Sequence, residues 1–342
     1  MVGYNFMAYK NIWKGKNGPL LIAEIGGNHE GNFSYAKKLT HLAIKSGADV
    51  VKFQLYSGDN LVNPVISPIR NKHFKKFQLT KNQHIELARI CQKGGVMYNA
   101  SIWDVKMINW VDRYLKFYKI GSGDLTAYPI IYEFAKRGKP ILLSTGLANL
   151  SEIEQTIQFI KKTNSVYKNK NMIAIMQCTS MYPNKDEDVN MSVLDQFKKK
   201  LKYTLGYSDH SYGDIALLLA YIKGAHVLEF HFTDSRQNKS FRDHLISLTK
   251  NEVHELCLKL KRINKMIGNP KKIPLNSEIR SGHTKSFRRA IYFKKEIKKG
   301  TIISQNDLIC LRPNIGLDAR KIKTILGKKA RKNYKQYQKI TI

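Results

Sequence analysis

The chain has 342 residues, 42% hydrophobic and 10% aromatic, enough to bury a core and too apolar for a disordered chain. No run of about 18 apolar residues occurs, which excludes a membrane-spanning helix. The segment 1–18 lacks the apolar stretch of a signal peptide, so a cytoplasmic location is expected. Lysine and arginine number 59 against 26 acidic residues, a net charge of +33. The lysines run from Lys10 to Lys339 with no interleaved aromatic signature, so they read as a solvated surface rather than a nucleic-acid interface. Their field would still draw in an anionic substrate. Four widely spaced cysteines, Cys91, Cys178, Cys257 and Cys310, form no CxxC pair, which argues against disulfides and zinc ribbons.

Short β-branched runs then alternate with amphipathic stretches. Strands are expected at 20–26, 49–56, 96–101, 117–122, 140–145, 172–180, 203–209 and 226–233. Between them apolar residues recur at three- and four-residue spacing, as in helices. The segment 104–115, DVKMINWVDRYL, is read as one of these helices. Ser151 and Glu154 have the spacing of a capping box. Gly47, Gly94, Gly138 and Gly224 stand where helices should stop. A long insert, 57–80, is expected to be an ordered substrate-covering loop. Eight strand–helix units over about 250 residues, with strands buried on both faces, point to an α/β fold: a (β/α)8 TIM barrel over 1–269, with a doubly wound open sheet as the alternative. No GxGxxG follows the first strand, so the dinucleotide signal is missing. A polar, proline-broken linker is read at 270–285. A small β-rich domain at 286–342 is too short to be comfortable alone and should dock on the barrel or on a partner.

In a (β/α)8 enzyme the chemistry sits at the C-terminal ends of the strands. Polar groups recur there: Glu24, Lys52 and Gln54, Ser101, Lys119 and Ser122, Ser144 and Thr145, Gln177, Thr179 and Tyr182, Asp209 and His210, Glu229 and His231. Lys52 in VVKFQ and Lys119 in YKIGS are the sharpest signal, because a buried ammonium needs compensation. A bound phosphate, an ion pair with Glu24 or Glu229, or a Schiff base would each supply it. His210 and His231 are metal candidates, since two imidazoles on neighbouring strands leave open positions on a divalent ion. The GSG, STG and GYSD turns offer backbone N–H groups and hydroxyls to an anion.

The motifs IAEIGGNHEGN, VVKFQ, YKIGSGDL, PILLSTG, CTSMYP, GYSDHS and EFHFTD, in this order, resemble the sialic acid (N-acetylneuraminate, nonulosonate) synthases. The tail from SFRRAIY through LRPNIG is similar to the antifreeze-like SAF domain, a β-clip, that follows their barrel. The resemblance implies condensation of phosphoenolpyruvate with an N-acyl hexosamine, N-acetylmannosamine-like, and release of phosphate. N-acetylneuraminate is then the leading product, with legionaminate or pseudaminate as alternatives. It implies a divalent ion, Mn2+ first, Mg2+ or Co2+ otherwise, on His210 and His231. It implies Glu24 as the catalytic carboxylate and Lys52, Ser101, Lys119, Ser122, Ser144 and Ser208 as the phosphoenolpyruvate set. Gln54, Tyr182 and Asp243 fall at sugar positions. Arg312 matches an arginine that reaches a partner's active site, which implies a domain-swapped homodimer. The sequence departs from the family at Phe241-Arg242-Asp243, where many relatives have Gly-Pro-Asp. It departs again at Gln177 and Ser180, where sialate-forming members often carry His and Asn. Both departures lie on the sugar side. Two other functions compete: a Schiff-base pyruvate aldolase, and a polyanion-binding protein on an inactive barrel.

Overall fold

A computed structural model describes residues 9 and 11–340. Most of the first ten residues, on which the expected lack of a leader partly rests, lie outside the described residues, as do the outermost ends of the assigned segments 1–269 and 286–342. The chain forms two compact units that meet between Ile267 and Gly268. Among the described residues no helix is long and apolar enough to cross a membrane.

The first unit is a closed parallel barrel. Its strands are β1 (Gly18–Gly26), β2 (Val50–Leu55), β3 (Met97–Ile102), β4 (Tyr118–Ile120), β5 (Ile141–Ser144), β6 (Ile173–Cys178), β7 (Thr204–Asp209) and β8 (Val227–His231). Each pairs with the next, and β1 pairs with β8 to close the ring. The two-residue strand Lys14–Gly15 pairs antiparallel with the start of β1.

Side chains alternate strictly along the strands, as a two-residue period requires. Leu21, Ala23, Val51, Phe53, Leu143, Ile175, Leu228 and Phe230 point outward into the helix layer and form the main core. Leu20, Ile22, Val50, Leu142, Ala174, Met176 and Val227 point inward. Trp13 packs with this inner set, its ring edge-on to Phe117 at 5.4 Å. The indole N–H donates to the carbonyl of Asn171 at 2.7 Å, which satisfies the one polar atom of a buried ring.

Helices follow the strands. The first, α1 (Phe33–Ser46), starts at Asn32, whose side chain accepts from the Tyr35 amide, and ends at Gly47 with φ of 100°. The insert after β2 folds into α2 (Gly58–Leu61) and α3 (Pro68–Phe77), and α4 (Lys81–Lys93) is capped by a Thr80–Gln83 box. At the end of α4 the left-handed residue is Gly95, with φ of 70°, and not Gly94. The segment read as a helix at 104–115 winds instead through two 3-10 turns around one α-turn, α5 (Ile108–Val111). Its helical spacing survives, because Ile108, Val111 and Leu115 are all buried. Then come α6 (Tyr128–Ala135) and α7 (Leu150–Thr163). The capping box of α7 is formed by Asn149 and Glu152, two residues before the expected Ser151–Glu154 pair, since the helix begins earlier. The barrel ends with α8 (Val193–Lys200), α9 (Ile215–Ile222) and α10 (Lys250–Ile267).

The second unit begins with two short helices, α11 (Asn276–Arg280) and α12 (His283–Ser286), inside the stretch read as linker. Strands β9 (Ala290–Phe293), β10 (Leu308–Leu311) and β11 (Leu317–Asp318) form an antiparallel sheet with β9 in the centre. Ile291, Phe293, Ile297, Ile303, Leu317 and Tyr334 belong to its own core.

The alternation makes a checkable claim about stability. Leu143 is fully buried in the layer between barrel and helices, whereas Ile215 on α9 is 77% exposed. Chemical denaturation should show Leu143→Ala costing about 2–5 kcal/mol and Ile215→Ala changing stability by less than about 0.5 kcal/mol.

Candidate active site

At the C-terminal ends of the strands the inward positions turn from apolar to polar. Above Ile22 stands Glu24, above Val50 stands Lys52, above Leu142 stands Ser144, and above Val227 stand Glu229 and His231. Strand register brings these groups side by side. Glu24 lies opposite both Lys52 and His231, Ser101 opposite Lys119, and Ser208 opposite Glu229. Together they line a cavity of about 1100 Å³. Every site residue expected on the barrel lines it: Glu24, Lys52, Gln54, Ser101, Lys119, Ser122, Ser144, Tyr182, Ser208, His210, His231 and Asp243. Arg312 belongs to the second unit and is not among the lining residues; its guanidinium lies 5.6 Å from the Phe287 ring centroid.

The floor of the cavity is a charge cluster. Lys52 Nζ is 2.7 Å from Glu24 and 3.6 Å from Glu229, and Lys119 Nζ is 2.5 Å from Glu229. All four side chains are buried. The ion-pair alternative for the two lysines is therefore the one the structure displays. Burial alone would lower the Lys52 pKa, but the two carboxylates outweigh it and raise it. Lys119 faces the same burial and shares a single carboxylate with the Lys52 charge, so its pKa falls. For Glu229 burial acts to raise the pKa, and the two ammonium groups override it and hold the carboxyl below its usual range. Glu229 had entered the sequence argument as a strand-end group and an ion-pair partner; here it is the hub. The signal that could have marked it is a carboxylate inside the apolar run VLEFHF.

Hydroxyls surround this floor. Ser101 Oγ accepts from Lys52 at 3.2 Å, and Ser208 Oγ donates to Glu229 at 3.0 Å. Ser122 Oγ accepts from the Gly146 amide at 3.0 Å. A Cβ at position 146 would stand 2.8 Å from Ser122 Oγ and 2.5 Å from Ser180 Oγ, so only glycine allows this close approach. The region offers two ammonium groups and several hydroxyls, the chemistry that holds a phosphate or carboxylate.

The two histidines stand at the ends of β7 and β8, His231 two residues beyond Glu229 on the same strand. Their ring centroids are 5.4 Å apart, and the Tyr182 ring packs 4.1 Å from His210. His210 Nδ1 lies 2.7 Å from the carbonyl oxygen of Thr179. Only a protonated Nδ1 can donate there, which leaves the Nε2 lone pair available. His231 Nδ1 is buried and makes no hydrogen bond; the nearest acid is Asp243 at 3.8 Å. Burial lowers both imidazole pKa values, keeping the rings in the neutral, metal-ligating form. Among the described residues no third His, Cys, Asp or Glu joins them in a metal-sized group. A divalent ion would therefore have two protein imidazoles and keep positions open, and the donor set fits that role.

Sequence reasoning passed over one further acid. Asp124 follows Ser122 in the GSGD turn and lines the cavity. Burial pushes its carboxyl up to about 6, so it can hold or release a proton near neutrality. Its position in GSGD, two residues past a candidate phosphate ligand, was the available clue. The insert 57–80 holds α2 and α3 and supplies Leu61, Val62, Asn63, Arg70, His73, Phe74 and Phe77 to the cavity. Of the two departures, Arg242 and Ser180 face the cavity, while Gln177 donates to the Val189 carbonyl at 3.4 Å.

Residues 39–272 match the NeuB family, and 288–335 match the SAF domain. The chain belongs to the NeuB family. The resemblance read from the motifs is thereby borne out, and this NeuB-family chain pairs a TIM barrel with a C-terminal SAF domain. It is 35% identical over 330 residues to the N,N'-diacetyllegionaminic acid synthase of Campylobacter jejuni, covering 93% of this chain and 97% of that protein. It is 30% identical over 310 residues to the human N-acetylneuraminate-9-phosphate synthase, covering 86% and 84%. The crystal structure of the N-acetylneuraminic acid synthetase of Leptospira borgpetersenii, in complex with citrate, superposes with a TM-score of 0.71 at 30% identity, covering 78% and 91%. These relatives are synthases of nonulosonic acids, which makes an enzyme of this kind the coarse description of the chain.

The charge cluster yields a stability prediction. Glu229→Ala removes the carboxylate that Lys119 pairs with and should cost about 3–5 kcal/mol in urea unfolding. A loss below about 1 kcal/mol would show that the lysines are compensated in another way.

Proposed function

We propose that the protein condenses phosphoenolpyruvate with an N-acyl hexosamine in its open-chain aldehyde form, giving a nonulosonic acid and inorganic phosphate. The observation that carries this reading is the convergence of Lys52, Lys119, four serines and the His210–His231 pair on one cavity at the mouth of the barrel. The relatives' names agree in kind.

The geometry is compatible with the roles that the resemblance implies. Lys52 and Lys119 bind the phosphate and carboxylate of phosphoenolpyruvate and offset their charge, with Ser101, Ser122, Ser144 and Ser208 as hydrogen-bonding partners. Incoming anions compete with Glu24 and Glu229 for the same ammonium groups. Gln54, Tyr182 and Asp243 line the part of the cavity assigned to the sugar. The enol carbon attacks the aldehyde carbon; a C–C bond forms and the carbonyl oxygen takes a proton. Asp124 lines the same cavity, and its carboxyl, raised to about 6, keeps a protonated fraction that can supply that proton. Water adds to the resulting cationic C2 and loses a proton, and the C–O bond to phosphate then breaks to leave the ketone. Glu24 orients that water and takes its proton. Gln54 Nε2, which donates to Glu24 Oε1 at 3.3 Å, holds the carboxylate in place.

His210 and His231 are the residues that would hold a divalent ion, Mn2+ first. When bound, the ion supplies Lewis-acid polarisation of the aldehyde. Arg312 is proposed to complete the sugar site of a second copy in a domain-swapped dimer.

Two measurements test this reading. Protein, Mn2+, phosphoenolpyruvate and a panel of N-acyl hexosamines should release phosphate with at least one sugar; no release with any sugar refutes the synthase reading. Borohydride with pyruvate should trap no adduct, whereas trapping would favour the Schiff-base aldolase. Separately, electron paramagnetic resonance should show the wild type depleting the free Mn2+ signal. His231→Ala should fail to do so while melting within a few degrees of the wild type. Undiminished Mn2+ binding by the variant would reject the ligand assignment.

A further inference from the structure

The loop after β8, residues 232–248, carries Asp243, which lines the cavity beside His231. The next residue, His244, is fully buried and does not line the cavity. Both of its ring nitrogens have partners outside the site. Nδ1 lies 2.7 Å from Thr233 Oγ1, and Nε2 lies 3.3 Å from Glu30 Oε1 in the turn after β1. Burial lowers the His244 pKa against the pull of Glu30, which favours the neutral ring. One neutral tautomer satisfies both contacts: Nε2–H donates to the carboxylate, and Nδ1 accepts from the threonine hydroxyl.

A second set of bonds joins the same two segments. Asn28 Nδ2 donates to the Phe232 carbonyl and to Ser247 Oγ, both at 2.9 Å. Ser247 Oγ in turn donates to the carbonyl of Asp243 at 2.6 Å. Asn28, Thr233 and Ser247 are all buried. On the cavity side of the loop, the Phe241 ring centroid lies 5.1 Å from that of Phe77 and 5.8 Å from that of His73. The backbone around Asp243 is therefore gripped on both sides.

The turn after β1 is strained at the residue that reaches His244. Glu30 has φ of 51°, in the left-handed region that glycine and asparagine enter more cheaply. Its amide bonds to the Gly27 carbonyl at 2.8 Å, which a glycine there would do as well. What the glutamate side chain adds is a carboxylate for His244. We propose that His244, held between Glu30 and Thr233, is a positioning residue that sets the Asp243 carboxylate for the acceptor sugar. The acceptor half of the site is thereby braced from the end of β1, the strand that bears Glu24. This rests on the synthase reading and adds to it two residues, His244 and Glu30, that do not line the cavity.

The test uses the intact protein with Mn2+, phosphoenolpyruvate and N-acetylmannosamine, or whichever N-acyl hexosamine of the panel turns over fastest. Glu30→Gly suits the left-handed backbone, so this variant should melt within a few degrees of the wild type. It should raise the acceptor KM roughly tenfold with a smaller change in kcat, since a displacement of about 1 Å is costly at a reacting centre. The KM for phosphoenolpyruvate and the depletion of free Mn2+ should stay within about twofold of the wild type, which separates a displaced acceptor group from general damage. Glu30→Gln still offers His244 an oxygen and should recover most of the acceptor KM. His244→Leu should give the same split. Adding Glu30→Gly to it should cost nothing more, as for two partners in one contact. An unchanged acceptor KM in Glu30→Gly, or a parallel rise in the phosphoenolpyruvate KM, overturns the proposal and leaves the synthase standing. Additive losses in the double variant overturn it too. If His244→Leu fails to fold, the two Glu30 variants decide. No turnover by the wild type with any sugar removes the synthase reading as well.

Discussion

The site depends on keeping four buried charges neutral as a set. Lys52, Lys119, Glu24 and Glu229 stand at the top of an apolar barrel interior, two cations against two anions. None could be kept there alone. Glu229 touches both lysines and so fixes their spacing. That spacing sets where a bound anion would sit, and the serines, the histidine pair and the glycine-rich turns are arranged around it. On the proposed function, an ammonium that left a carboxylate for a phosphate would change one ion pair for another and would not become an isolated buried charge.

Above the floor the cavity has two unlike halves. One is made of strand ends and is polar. The other is made of the loops after β2, β3 and β8 and is rich in rings, with Tyr56, Phe74 and Trp103 on one side and His73, Phe77 and Phe241 packed together on another. Strand ends are fixed by barrel geometry, whereas loops tolerate change. The departures from the family at Arg242 and Ser180 both fall on loop residues lining the cavity. The polar strand ends and the ring-rich loops are thus carried by different kinds of backbone.

Much of this was legible in the sequence because strands buried on both faces are short apolar runs in which a charged residue stands out. Lys52 in VVKFQ and Lys119 in YKIGS stood out as polar residues in apolar runs, and both line the cavity. The eight strands lie where the alternation placed them. Other features were hidden for identifiable reasons. Glu229 becomes the hub only when β8 faces β2 and β4 across the barrel, a relation that sequence does not display. Asp124 looks like an ordinary turn residue until burial raises its pKa. Tyr56, Phe74 and Trp103 come from three separate segments and share no periodicity. The capping box at Asn149–Glu152 and the 3-10 winding at 105–114 were misplaced because several polar residues there satisfy the same local rules. Arg312 was read through the resemblance alone and belongs to the SAF unit.

The alternation along the strands also limits how the gene can change. In β2, Lys52 and Gln54 face the cavity while Val51, Phe53 and Leu55 face the helices. Deleting or inserting a single codon inside that strand would exchange the two faces, driving Phe53 into the reaction chamber and Lys52 into the oily seam beneath α1 and α4. Two residues, not one, is the smallest change that preserves the facing. The loops carry no such parity, and the insert 57–80 shows how much length they absorb. Genetic drift in chain length should therefore accumulate at the mouth of the barrel and be almost absent from its staves.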